Sequence, residues 1–353
     1  MVETDVEYAV IGAGPAGFSA ARVLAERFDV TVIDPVFGEA PTKPCGGLLS
    51  EAAQRTLASL NIQVPSDVLV SPQCFAVRTV DLEQRLQGLY PRTYTNLDRR
   101  RFDDYLRFLL PPKVKRLTAR VSGIERDGER FRIRLRTSAG DAAVTCRFLI
   151  AADGGGSLVR RTLFPGRPAN TLTALQAHYK VGDLPVEYAC YYDQRDTPAF
   201  GWSLVKDEHF IVGGAFLRKG SGQAFASFER SVFSHAGRPV PPRILTEACS
   251  VVWSRRQQDL FLGDDHVLLV GESAGLISPS SFEGISFALE SGYAAATACL
   301  SGRARRGAAY RLSLGSLLSK HAVRRVKASM LATRPIRALA IRSGVDQIRP
   351  KAH

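Results

Sequence analysis

Val10-Ile11-Gly12-Ala13-Gly14-Pro15-Ala16-Gly17 joins a strand to a helix through a glycine-rich turn, and the fold follows from it. Residues 8–11 are an apolar run of strand length, and residues 16–27 carry a helical pattern that begins at once. Gly12 permits the tight turn, Gly14 lets backbone N–H groups approach a pyrophosphate, and Gly17 lets the helix lie close on the sheet. The helix N-terminus then offers unpaired amides and about half a unit of positive charge to phosphates. Residues 30–33 form the next strand. It ends on Asp34, about 20 residues after the glycines, where a carboxylate is placed to hold ribose hydroxyls.

Two more glycine sites lie far along the chain. One is Ala151-Ala152-Asp153-Gly154, with Ser157 and Arg160 behind it; the other is Leu268-Leu269-Val270-Gly271-Glu272-Ser273-Ala274-Gly275, followed by Glu283-Gly284-Ile285. A single glycine motif suggests a dinucleotide. Three that return to one ligand narrow the expectation to FAD in an oxidoreductase.

Composition sets the surroundings. With 353 residues and 45% hydrophobic residues, the chain can bury a large core. Glu3, Asp5 and Glu7 lead into the first strand, so no signal peptide is expected, and no apolar run reaches the roughly 18 residues that span a bilayer. The six cysteines (Cys45, Cys74, Cys146, Cys190, Cys249 and Cys299) form no CxxC pair. That argues against zinc and disulfides and fits a reducing, cytoplasmic setting. The histidines show no metal-ligand spacing, so no metal is expected, and His178, His209 and His266 read as ordinary strand or loop residues.

Charge is concentrated. Of the net +13, residues 301–353 hold +12, from 13 Lys/Arg against the single acid Asp346. There Leu318, Ala322, Val326 and Met330 recur at helical spacing, with Lys320, Arg324, Arg325 and Lys327 between them. Two readings are open: a helix packed on the body with a solvated basic face, or one lying on an anionic membrane surface. No nucleic-acid recognition module accompanies the charge.

The expected fold class is mixed α/β. A Rossmann-like FAD-binding domain (1–70, 96–165 and 255–300) is interleaved with an antiparallel-sheet substrate domain (71–95 and 166–254), followed by a basic helical segment (301–353). Residues 74–80 alternate as a strand, 99–110 read as a helix, and 114–150 as strands with an Asp127-Gly128 hairpin turn. Residues 170–254 read as strand-rich without a long helix; 267–270 read as a strand and 283–300 as a helix.

Further strings carry a resemblance. They are Lys43-Pro44-Cys45-Gly46-Gly47, Arg99-Arg100-Arg101-Phe102-Asp103, the Asp153-Gly154 site, and Phe200-Gly201-Trp202-Ser203-Leu204-Val205-Lys206 with Gly213. Over nearly its full length the chain resembles the FAD oxidoreductases of the p-hydroxybenzoate hydroxylase fold. Within them it is similar to the geranylgeranyl reductase family, nearest to the CbrA-type branch associated with colicin M resistance. Trp202, Lys206 and Gly213 keep the spacing of the family's YxWxFPKxxxxxxG motif, whereas Phe200, Leu204 and Val205 depart from its Tyr, Phe and Pro.

The resemblance implies roles. Cys45, Gly46, Gly47 and Leu48 would lie beside the isoalloxazine, and Arg99 near the FAD phosphates or ribityl chain. Val121 would offer backbone bonds to adenine. Gly271, Glu272 and Gly275 would serve the flavin's sugar chain, with Glu272 in place of the family's Asp. Gly284 and Ile285 would aim N–H groups at the flavin C2 carbonyl. Asp153 could line the cleft or cap the helix behind it. Cys45 is either a small residue in a tight loop or a catalytic neighbour of the ring, Trp202 either core or a substrate-pocket wall, and Lys206 a further candidate.

The implied activity is reduction of prenyl C=C bonds in a hydrophobic small molecule by hydride from reduced FAD. Electrons would come from NAD(P)H or an electron-donor protein. Two alternatives stand beside it. One is a flavin monooxygenase, less readily a halogenase, acting through a C4a-hydroperoxide on an aromatic or polyketide-like substrate. The other is a non-catalytic flavin or lipid-carrier binder.

Overall fold

The computed structural model describes residues 3–35, 45–182, 184–302 and 304–349. The first sheet runs in the order β6 (Lys115–Leu117), β2 (Val30–Ile33), β1 (Glu3–Ile11), β9 (Gly140–Ala151), β8 (Arg130–Thr137) and β7 (Arg120–Asp127), with β15 (Val267–Leu269) also on β9. Strands β2, β1, β9 and β15 are parallel, and Ile11 pairs with both Ile33 and Ala151 while Leu269 pairs with Ala151. All four strands therefore finish at one edge, and every glycine loop leaves the sheet there. Ligands of open parallel sheets bind at that carboxyl edge.

Helix α1 (Pro15–Leu24) follows β1 and packs on α6 (Ile285–Leu300). The approach is close: a Cβ on Gly292 would stand 2.2 Å from the Ala16 carbonyl oxygen, and Ser19 Oγ donates to the Leu289 carbonyl at 2.8 Å. Both helices thus begin at the same sheet edge. Helices α2 (Glu51–Ser59), α3 (Arg99–Phe108) and α4 (Leu158–Leu163) complete this half.

The second sheet runs β14 (Leu245–Val252), β10 (Thr171–Lys180), β13 (His209–Phe216), β12 (Gly201–Lys206), β11 (Tyr188–Tyr192), β4 (Cys74–Asp81), β5 (Leu86–Asn96) and β3 (Leu48–Leu49). One face is covered by α5 (Ser221–His235), whose Phe225, Phe228, Val232 and Phe233 pack with Tyr179, Phe210 and Phe216. A 15-residue helix here corrects the expectation of strands alone. The opposite face carries Leu172, Ala215 and Val251 and packs with Ile277 of the nucleotide half.

The basic segment folds as α7 (Arg306–Ser313), α8 (Gly315–Ala332) and α9 (Arg334–Arg342). Tyr310 Oη of α7 donates to the Leu269 carbonyl at 3.0 Å, and Lys320 Nζ of α8 donates to Ser286 Oγ at 3.1 Å on α6. Helix α8 packs on the body, but not through the whole Leu318, Ala322, Val326 and Met330 stripe. Leu317 and His321 are buried, whereas Val326 and Met330 are exposed. His321 packs edge-on to Phe287, and burial, with Arg325 nearby, pushes its pKa down to about 4. Helix α9 instead docks on the other half, where the buried Arg337 donates to the buried Asp81 at 2.6 Å. Among the described residues no helix is long and apolar enough to cross a membrane, and no cluster suits a metal ion.

Candidate active site

A cavity of about 1040 Å³ lies between the carboxyl edge of the first sheet and the apolar face of the second. At its floor, Gly12 has φ +103° and a Cβ there would stand 2.3 Å from the Ala152 carbonyl oxygen, so the turn requires glycine. Gly14 faces the other way: nothing lies within 4 Å of the position its Cβ would take. Gly12, Gly14, Pro15 and Ala16 line the cavity; Ala13 is buried behind them and Gly17 rests on the Gly12 carbonyl. Asp34 lines it too, and its Oδ2 accepts from the Ala13 amide at 2.5 Å, so this carboxylate also braces the loop.

The two helices that open here both start on glycine, Gly14 before α1 and Gly284 before α6, and no side chain caps the α1 start. Helix starts leave N–H groups unsatisfied unless something supplies acceptors. The α1 start, with open space beside Gly14, and the Gly284–Ile285 amides that Glu283 does not engage fit the pyrophosphate and the ring carbonyl of FAD. Gly284 and Ile285 line the cavity, while Glu283 turns its carboxylate to Ser286, accepting from its amide at 3.0 Å and its hydroxyl at 3.1 Å.

The cysteine loop reaches the cavity from the side. Cys45, Gly46, Gly47 and Leu48 line it, while the preceding Lys43-Pro44 falls outside the described residues. The Gly47 amide donates to Cys45 Sγ at 3.4 Å. Arg99 lines the same wall and donates to both Asp103 oxygens, at 3.0 and 3.2 Å. Burial opposes its charge, yet Asp103 and the Cys45 sulfur outweigh burial and raise its pKa.

Lys206 does not line the cavity. Its ammonium sits behind Gly47 and donates to Asn96 Oδ1 at 2.7 Å and to the Leu97 carbonyl at 2.5 Å, with burial lowering its pKa to about 8. The expected catalytic candidate is therefore a positioning residue that ties β12 to the chain entering α3. Changing Lys206 to Met strips the donor from two acceptors and is expected to cost about 1–3 kcal/mol, read from the urea unfolding midpoint. An unmoved midpoint would dismiss this role.

The late motifs act at the seam between the sheets. Asp153 Oδ2 accepts from the Val159 amide at 3.1 Å, so its hydrogen bonding is that of a helix cap for α4, although both Asp153 and Gly154 line the cavity. Burial raises its pKa against the hydrogen bonds that lower it. Glu272 lines the cavity, but its Oε1 accepts from the Val252 amide of β14 at 2.8 Å. The extra methylene relative to Asp lets it reach the second sheet, so this oxygen is engaged there rather than free for a sugar chain. Gly271 and Gly275 do not line the cavity; both have positive φ and shape the turn that carries Glu272. Val121 lines the far end, at a register shift in β7.

Above the loops the cavity becomes an apolar chamber. Trp202 lies flat across Gly213, and a Cβ there would meet the indole at 2.6 Å. Phe200 stacks on Phe282 at 5.4 Å and lies edge-on to Trp202 at 6.2 Å. Trp202 thus forms wall rather than core. Leu204, Ala174, Ala215 and Ile277 continue that surface.

Several lining residues have no motif to announce them. Tyr94 and Tyr188 meet edge to face at 5.5 Å, and Tyr188 Oη accepts from Cys190 Sγ at 3.2 Å. Glu247 lines the wall while bonded to His178 Nε2 at 2.9 Å and Gln176 Nε2 at 2.7 Å, so His178 has a partner the strand pattern does not reveal. Strand alternation gives each tyrosine a face within its own strand, but β4 lies between the two strands, so the common face follows from the sheet order.

Comparison with known proteins bears on this geometry. Residues 112–306 match the FAD binding domain family. Protein CbrA of Escherichia coli O6:H1 (strain CFT073) is 34% identical over 346 residues, covering 97% of this chain and 94% of that protein. The chain belongs to the CbrA family and carries an FAD-binding domain. Among solved structures, a geranylgeranyl bacteriochlorophyll reductase-like protein from Thermoplasma acidophilum superposes with TM-score 0.80 at 19% identity, covering 98% of this chain and 93% of that one. PqsL, a probable FAD-dependent monooxygenase from Pseudomonas aeruginosa, superposes at 0.66 and 15%, covering 98% and 100%. This CbrA relative is therefore an FAD-dependent oxidoreductase in fold, as the motifs indicated.

Proposed function

We propose that this CbrA relative reduces C=C bonds of a prenyl-type substrate, with FAD held by the starts of α1 and α6. The observation that carries the reading is the chamber. From the cysteine loop it continues across Leu204, Trp202, Phe200 and Phe282, an apolar surface suited to a hydrocarbon chain. FAD, when bound, supplies hydride chemistry there.

The chain's own residues do the rest. Gly12, Gly14 and Pro15 shape the cradle for the pyrophosphate, and Gly284 with Ile285 presents the helix end to the ring. The aromatic wall excludes water and orients the chain of the substrate. Tyr94 and Tyr188 place phenol O–H groups in an otherwise greasy space. Burial pushes the Tyr94 pKa up to about 12 and that of Tyr188 well above its ordinary value, so both hold their protons at neutral pH. Electrons arrive from NAD(P)H in the same cleft or from a donor protein.

The test is anaerobic. The FAD-loaded protein is reduced with light and then mixed with geranylgeranyl lipids. Reoxidation without oxygen, with product gaining two hydrogens per bond, is expected. Reoxidation solely on admitting oxygen, with an oxygenated product, would transfer the chain to the monooxygenases.

A further inference from the structure

Helix α8 is built the wrong way round for a helix facing water. Its inner side is fixed by Leu317 and His321. Its outer side presents Val323, Val326 and Met330, which are 68%, 63% and 49% exposed and recur at three- and four-residue spacing along one face. Surface helices ordinarily turn such residues inward and leave charge outside. Here the cations flank the apolar face instead.

The cations of the segment are compensated in part only. Lys320, Arg334 and Arg337 find Glu290, Glu83 and Asp81, but Arg311, Arg324, Lys327 and Arg342 have no acidic partner among the described residues. Burial, and then the like charges of Arg324 and of Arg92 on β5, lower the pKa of Lys327, so cations have gathered around it. Such a grouping raises the energy of the free protein and is relieved by anions.

We infer that the outer face of α8 is a docking surface for an anionic lipid bilayer, with Val323, Val326 and Met330 entering the interface and Arg324 and Lys327 meeting acidic headgroups. Apolar side chains flanked by cations are what an interfacial helix needs, and acidic lipids supply the missing counter-charge. The +12 carried by residues 301–353 adds long-range attraction to the same surface. Position supports it as well. Arg324 lies near Tyr94, and Lys327 near Cys190, so α8 borders the tyrosine end of the chamber. Docking therefore sets that end beside lipid. The inference does not depend on which reaction the flavin performs.

Sedimentation of the FAD-loaded full chain with vesicles tests it without turnover. We expect binding to phosphatidylglycerol/phosphatidylcholine vesicles at low salt, weak binding to pure phosphatidylcholine, and loss at high salt. Two variants separate the contributions. Val323→Ser/Val326→Ser/Met330→Ser and Arg324→Gln/Lys327→Gln should each weaken partitioning about tenfold or more, with melting temperature unchanged because the altered side chains are not core. Failure to sediment with the anionic vesicles at low salt overturns the inference. So does undiminished binding by the serine variant, which would mark nonspecific attraction of a basic protein. A dimer that the serine variant dissociates, with no vesicle binding, would assign the face to a second copy of the chain instead.

Discussion

A Gly14→Val variant is expected to purify colourless while its flavin-free melting temperature stays that of the parent. The backbone at Gly14 (φ −70°, ψ −177°) is open to any residue, and a Cβ meets nothing within 4 Å. Folding is therefore indifferent to the change. The methyl groups instead enter the space beside the uncapped start of α1, where a pyrophosphate has to approach the amides. FAD affinity should fall on the order of 10³-fold, about 4 kcal/mol, measured by titration of the apoprotein. Gly17→Ala makes the contrast: its Cβ would stand 1.8 Å from the Gly12 carbonyl oxygen, so here the fold itself is damaged. A yellow Gly14→Val protein would move the cofactor away from this loop.

The second large effect concerns Arg337. This side chain and Asp81 are both buried, joined at 2.6 Å, with Arg337 also lying over the Tyr192 ring at 5.0 Å. Replacing Arg337 by Met leaves the Asp81 carboxylate buried without its counter-charge, at a cost of about 3–5 kcal/mol. That is a sizeable share of a typical domain's stability. Adding Asp81→Asn should restore part of it, because the orphaned charge is then gone. Burial raises the Asp81 pKa, but Arg337 and Gln84 more than offset it, so the folded value lies below the ordinary 3.8. The unfolded carboxyl takes up its proton first as pH falls. The contribution is thus complete above about pH 4 and is lost as pH drops through the folded pKa. A urea series on parent and variant across that range checks both points, and equal acid sensitivity would remove Asp81 from the account.

The nucleotide half is legible because its signals are local and mutually consistent. Residues 30–33 are an apolar run closed by Asp34, and the strand falls on those residues. Elsewhere the deciding partner is distant in sequence. Phe225, Phe228 and Val232 do recur at helical spacing, but the surrounding strands mask the period of α5. In α8 two apolar stripes compete, and adjacent residues on a helix differ by about 100°. Phe287 of α6 receives His321 edge-on, with Lys320 reaching Glu290 beside it, a choice made by the receiving surface. The reach of Glu272 to Val252 likewise depends on the pairing of the two halves, and the meeting of Tyr94 with Tyr188 on the strand order β11-β4-β5 within the second sheet. A motif locates a loop; it does not show what faces that loop across a cleft.

One consequence of the C-terminal helices remains. With α7 and α8 fastened to the nucleotide half and α9 anchored by Arg337 to the other, the last seventh of the chain works as a hasp across the seam. The jaws cannot gape without unlatching a buried ion pair. Access to the cavity between them is therefore not gained by parting the two halves at this end.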